Sequence, residues 1–184
     1  MAKLLNYLSS NPNVEIQYRA SGVQLAIHSD VSYLSVSQAR IRASGLHFLS
    51  EGPLNPKNPE DFVPTVNGII LVVWKIMRNL MALADEAEYV TIFINAQTYV
   101  RIHTTLNEIG WKQGPTAIQV DNSTAVVIAK KDFRQNKSKA MDMWFYWINN
   151  MIKPIQFRIF WIPNLGYYHS KHHPPENHIA VRSK

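Results

Sequence analysis

Gln119-Val120-Asp121-Asn122-Ser123-Thr124-Ala125 follows a short apolar segment, Ala117 to Val120, that reads as a strand. The strand delivers Asp121 at its end, and Asn122 or Ser123 can cap a helix running through Val126 and Ile128 to Ala129. An acid at a strand end, directly before a helix start, is a common place for a site in an α/β sheet. Outward from it, two other acids have comparable settings. Upstream, Val14 to Ile27 alternates and tightens into Val23-Gln24-Leu25-Ala26-Ile27-His28, a strand with Asp30 expected just beyond its end. Between them, Ala82 to Ile109 changes to a helical period (Leu83, Ala87, Val90, Ile94, then Tyr99, Ile102, Leu106, Ile109), with Gly110 as its C-terminal cap, as one helix or two pieces. Glu88 is spaced by four from Ala84 and Ile92, so it borders the apolar stripe, where a carboxylate needs a reason.

The remaining segments complete a mixed sheet with helices. Arg42 to Ser50 reads as a second strand, and residues 51–67, with four prolines, as an exposed loop. Gly68 to Trp74 is a continuous β-branched and apolar run, expected to be a buried strand. Residues 130–139 are basic and loop-like. Met141, Phe145, Ile148 and Ile152 repeat at helical spacing until Pro154 stops the helix, and Ile155 to Ile162 is strand-like. The 184 residues, 46% of them hydrophobic, support a single domain: a core over 14–163 and a His-rich tail over 164–184.

Composition bounds the chemistry. Without cysteine, thiolate metal sites and disulfides are excluded, and carboxylates would favour Mg²⁺ or Mn²⁺. A balance of 19 Lys and Arg against 13 Asp and Glu, net +6, suits a polyanionic partner. No apolar run has the length of a membrane span, and Met1 to Asn6 lacks a secretory signal's apolar stretch, so a soluble intracellular protein is expected.

Five stretches, in order, carry a resemblance: Ile27-His28-Ser29-Asp30-Val31-Ser32-Tyr33, Asp85-Glu86-Ala87-Glu88-Tyr89, Gln119 to Ala125, Ser138-Lys139-Ala140-Met141-Asp142-Met143 and Lys171-His172-His173-Pro174. From about Leu4 onward the chain resembles the RNase H domain that ends copia-type LTR retrotransposon polyproteins. The resemblance implies an α/β, RNase H-like fold, a mixed five-stranded sheet flanked by helices. It also implies hydrolysis of the RNA strand in RNA/DNA hybrids, assisted by two Mg²⁺ ions (or Mn²⁺). Carried over by position, Asp30, Glu88 and Asp121 are the first three metal-binding catalytic carboxylates, with Glu88 favoured over Glu86. Clustered carboxylates are the hard ligands that two-metal phosphodiester chemistry requires. Asn122 and Thr124 are candidates for the hybrid's sugar edge, and Lys137 and Lys139, in the run with Lys130, Lys131 and Arg134, for phosphate.

The chain departs from the family near its end. Trp161-Ile162-Pro163 passes directly to Asn164-Leu165-Gly166-Tyr167, shortening a Gly-containing turn, and Tyr167 stands where the family has a fourth acid. A phenol, with a reference pKa of about 10, is a poor Mg²⁺ ligand at neutral pH, and His169 nearby suits Mg²⁺ badly. The resemblance therefore implies impaired catalysis; the alternative is a domesticated, non-catalytic subunit serving as scaffold or RNA-binding module in a larger assembly with protein partners. Two bland readings stand beside these: Trp144, Phe145, Tyr146 and Trp147 read as core or subunit packing more readily than as base-stacking residues, and the basic run reads equally as a solvated loop.

Overall fold

A computed structural model of the chain describes residues 5–6, 9–10, 12–13, 15–36, 40–52, 63–77, 84–122, 126, 139–152 and 157–161. Its elements in chain order are β1 (Gln24–Val36), β2 (Arg40–Ser50), β3 (Ile69–Met77), α1 (Ala84–Glu108), β4 (Thr116–Val120), α2 (Lys139–Ile152) and β5 (Phe157–Trp161). The strands form one mixed sheet in the order β3-β2-β1-β4-β5. The first three make an antiparallel meander, and β4 and β5 are parallel to their neighbours.

Most of the expected elements are present, with two corrections. β1 starts at Gln24, later than the alternation from Val14 suggested, and continues through Asp30 to Val36. Residues 15–23 have no regular structure, and Val23, at a φ of 54°, marks the turn into the strand. Alternation alone could not locate that start, because strand pairing decides it: β2 supplies partners from Gln24↔Ser50 as far as Ser32↔Arg42. The run into β3 is also not buried. β3 is the edge of the sheet, with Ile70, Val72 and Trp74 exposed, the last 59%. A continuous apolar run fits either position. Arg42 lies over the Trp74 ring at 4.5 Å, covering part of this face.

α1 is a single helix of 25 residues. Gly110, at a φ of 98°, lets the chain reverse: its N–H bonds Asn107 O at 3.1 Å, and that of Trp111 bonds Leu106 O at 2.9 Å, which satisfies two terminal carbonyls. The helix buries Tyr89, Ile92, Ala96, Tyr99 and Leu106 against Leu25, Ile27, Ile118, Val120, Phe157 and Ile159 of the sheet, with Ile148 of α2 beside them. A second cluster joins Ala87 and Val90 to Val31, Ile41, Ala43 and Met77. Trp144 packs against both, and Trp147 meets Phe93 edge-on at 5.1 Å, so these two aromatics serve packing. Of the helix expected after Asn122, Val126 is described and is helical; residues 130–138 of the basic stretch and the His-rich tail lie outside the described residues, and Lys139, expected in the loop, is the first residue of α2.

Inside the sheet-helix interface lies a buried polar group. Asn95 of α1, fully buried, donates through Nδ2 to Ser29 Oγ on β1 at 2.9 Å and to Ser44 O on β2 at 3.0 Å. Its carboxamide lies on Gly45, where a Cβ would stand 1.9 Å from Oδ1. His47, also fully buried, lies beside it, and burial pushes the imidazole down to about 4.

Two outcomes follow from this packing. Ile118→Ala, at a fully buried position, is expected to cost about 3 kcal/mol in urea unfolding, whereas Trp74→Ala on the exposed edge costs under about 1 kcal/mol. For His47, the unfolded ring takes a proton near its usual value of 6.5, while the folded ring stays neutral down to about 4. The unfolded state therefore binds more protons in that window, and stability is lost as pH falls through it. Between pH 7 and pH 5 unfolding free energy should drop by about 2 kcal/mol more in the parent than in His47→Gln.

Candidate metal centre

Two acids reach one place because two strands part. β1 and β4 pair in parallel at Ala26↔Ala117, Ile27↔Ile118 and His28↔Gln119, and the pairing ends there. Asp30 and Asp121 each lie two residues past the last pair, at equivalent positions on the separating strands. Asp30 thus stands within β1, not beyond its end, because β2 continues to pair with β1 at Asp30↔Ser44 after β4 has left. The opening lies where the parallel β1–β4 pairing runs out in the C-terminal direction, past the end of β4, the side of the sheet on which α/β proteins place ligands.

Glu88 comes from the second turn of α1. Its neighbours Ala87 and Tyr89 are buried in the two core clusters, and the helix thereby presents Glu88 to the opening. Oxygens of Asp30, Glu88 and Asp121 lie within 4.8 Å of one another. Asp30 and Glu88 are buried and Asp121 half-buried, so the group is closed on the protein side and open on Asp121's. Among the described residues no other set of three His, Asp or Glu comes together in this way, and Glu86 is not part of it.

The main chain around the acids is held from two sides. Ser44 Oγ donates to Asp30 O at 2.9 Å, and the indole N–H of Trp161, at the end of β5, donates to Asp121 O at 2.9 Å. These anchors, like Asn95, escaped the sequence reading. Trp161 stood in a recognised turn, but nothing in its spacing told that its N–H would reach Asp121. The one signal for Asn95 was a polar residue one position past Ile94, within an apolar helix stripe.

The donor set fits a hard divalent cation. All three side chains offer oxygen, the donor that Mg²⁺ and Mn²⁺ prefer, and these oxygens lie within 4.8 Å of one another. At an effective dielectric of ~20, two carboxylate charges about 5 Å apart repel by about 3 kcal/mol, a repulsion that a bound cation would offset.

The other sequence candidates are placed as follows. Asn122 is half-buried beside Asp121. Thr124, Lys137 and Tyr167 lie outside the described residues, as does the side chain of Lys139, the first residue of α2. No described helix is long and apolar enough to cross a membrane.

No protein-family model matches the sequence, and no curated protein matches it. Solved structures do match. LC11-RNase H1, isolated from compost by a metagenomic approach, is 8% identical over 77% of this chain and 86% of its own, with a TM-score of 0.52. The N-terminal RNase H domain of Rv2228c from Mycobacterium tuberculosis, solved as a fusion with maltose-binding protein, is 11% identical over 88% and 97%, with a TM-score of 0.49. LC11-RNase H1 in complex with an RNA/DNA hybrid is 10% identical over 80% and 91%, with a TM-score of 0.49. With its five-stranded mixed sheet and covering helices, the chain has an RNase H-like fold.

Proposed function

We propose that the chain is a ribonuclease H domain of copia-type retrotransposon descent, which cleaves the RNA strand of RNA/DNA hybrids slowly, with Mg²⁺ or Mn²⁺ held by Asp30, Glu88 and Asp121. The observation that carries this reading is the convergence of those three acids to within 4.8 Å in an RNase H-like fold. When bound at such a site, divalent cations lower the pKa of a water and neutralise charge developing on the phosphate.

The chain's own groups divide the remaining work. Asp30 and Glu88, buried and fixed by β1 and α1, present rigid oxygens, and Asp121 faces the solvent side from which a polyanion approaches. Asn122 is adjacent to meet a sugar edge, with Thr124 beside it in sequence, and Lys137 and Lys139 supply charge for phosphate. Tyr167, at the family's fourth acid position, adds a neutral phenol where a negative charge belongs. Its presence, with the shortened turn after Trp161, is what favours the rival reading of a domesticated subunit that keeps the fold as scaffold or RNA-binding module.

Hydrolysis decides between them. Incubated with a labelled RNA/DNA hybrid and Mg²⁺ or Mn²⁺, the chain should cut RNA slowly, Asp121→Asn should abolish cutting, and Tyr167→Asp should raise the rate on the order of tenfold. Products indistinguishable from those of Asp121→Asn, with RNA retained in a salt-dependent manner, would instead establish the non-catalytic module.

A further inference from the structure

We propose that Asn95 is a positioning residue for the carboxylate cluster: it holds α1 at the axial register that brings Glu88 to Asp30. This rests on the reading of the cluster as a cation site. Asn95 lies seven residues after Glu88 on α1, about 10 Å along the axis and within about 20° of the same face. The two side chains therefore address the sheet together.

Asn95's partners are the residues around Asp30. Ser29, which accepts from Nδ2 at 2.9 Å, precedes Asp30 in β1. Ser44, whose carbonyl accepts at 3.0 Å, is Asp30's register partner on β2, and its hydroxyl donates to the Asp30 carbonyl at 2.9 Å. One carboxamide thus ties the strand that carries Asp30, and the strand paired with it, to the helix that carries Glu88.

Apolar contacts alone would not do this. The surrounding side chains, such as Ile92, Ala96 and Val90, attract without direction and tolerate small slides of a helix along a sheet. Hydrogen bonds of 2.9–3.0 Å do not, and metal-site geometry is sensitive to displacements of about 0.5 Å. Burying the Asn95 amide costs free energy that the two Nδ2 bonds offset only in part, since Oδ1 has no hydrogen-bond partner among the described residues, so an apolar residue would serve stability alone at least as well. Gly45 completes the device: any Cβ there would strike Asn95 Oδ1, so the bare backbone of β2 lets the helix approach.

The test measures Mn²⁺ affinity by electron paramagnetic resonance, with melting temperature in parallel, for the parent, Asn95→Leu, Gly45→Ala and Leu106→Ala. Leu106 is buried in the same helix, far from the cluster, and controls for lost stability. Asn95→Leu and Gly45→Ala should weaken Mn²⁺ binding about tenfold or more, while Leu106→Ala, at equal or lower melting temperature, stays within about twofold. Parent-like affinity in Asn95→Leu overturns the proposal; if that variant does not fold, parent-like affinity in Gly45→Ala does so. Should the parent itself bind no Mn²⁺, the cation reading falls, and crystal structures of the same variants still judge Asn95. Oxygens of Asp30 and Glu88 spread beyond 4.8 Å support its role, and oxygens that stay within that distance overturn it.

Discussion

The parting of β1 from β4 after His28 and Gln119 is the constraint on which the site depends. Up to that pair, the two parallel strands share hydrogen bonds, and their alternate residues Ile27 and Ile118 fill the core without exposure. Beyond it, β4 ends at Val120, while β1 runs on with β2 as its partner. An opening is created between two chains that a moment earlier were about 5 Å apart. The acids two residues past the split on each strand face it, and the helix crossing the same sheet adds a third.

Holding three carboxylates there sets a demand that the surrounding structure meets with directional bonds as well as apolar packing. Trp161 fixes the main chain of Asp121, Ser44 that of Asp30, and Asn95 binds the helix to β1 and β2. The repulsion among the acids, about 3 kcal/mol for each charged pair, exceeds what one ordinary hydrogen bond contributes, about 1 kcal/mol. The directional bonds to the main chains of Asp30 and Asp121, and from α1 to β1 and β2, act against that repulsion.

Much of this was legible in the residues, for reasons of period and punctuation. The spacing of Ala87, Val90 and Ile94 and the glycine after Ile109 located α1, and the short segment Ala117 to Val120 read as a strand delivering Asp121, one residue short of β4's start at Thr116. Where legibility failed, the missing information was pairing. β1 looked finished at His28 because its polar stretch Ser29-Asp30-Val31-Ser32 does not resemble a buried strand, yet Asp30 and Ser32 are buried once β2 lies alongside. β3 looked buried because apolar composition does not tell which strand is an edge. Asn95 gave no sign of its partners, since Ser29 and Ser44 lie 66 and 51 residues away in sequence.

The proposed function requires that Asp30, Glu88 and Asp121 together hold a divalent cation. Its most direct test is anomalous diffraction from crystals of the unaltered chain soaked in Mn²⁺. A peak is expected among the three side chains, with an oxygen of each at about 2.2 Å. Density elsewhere on the surface and none within the cluster would contradict it.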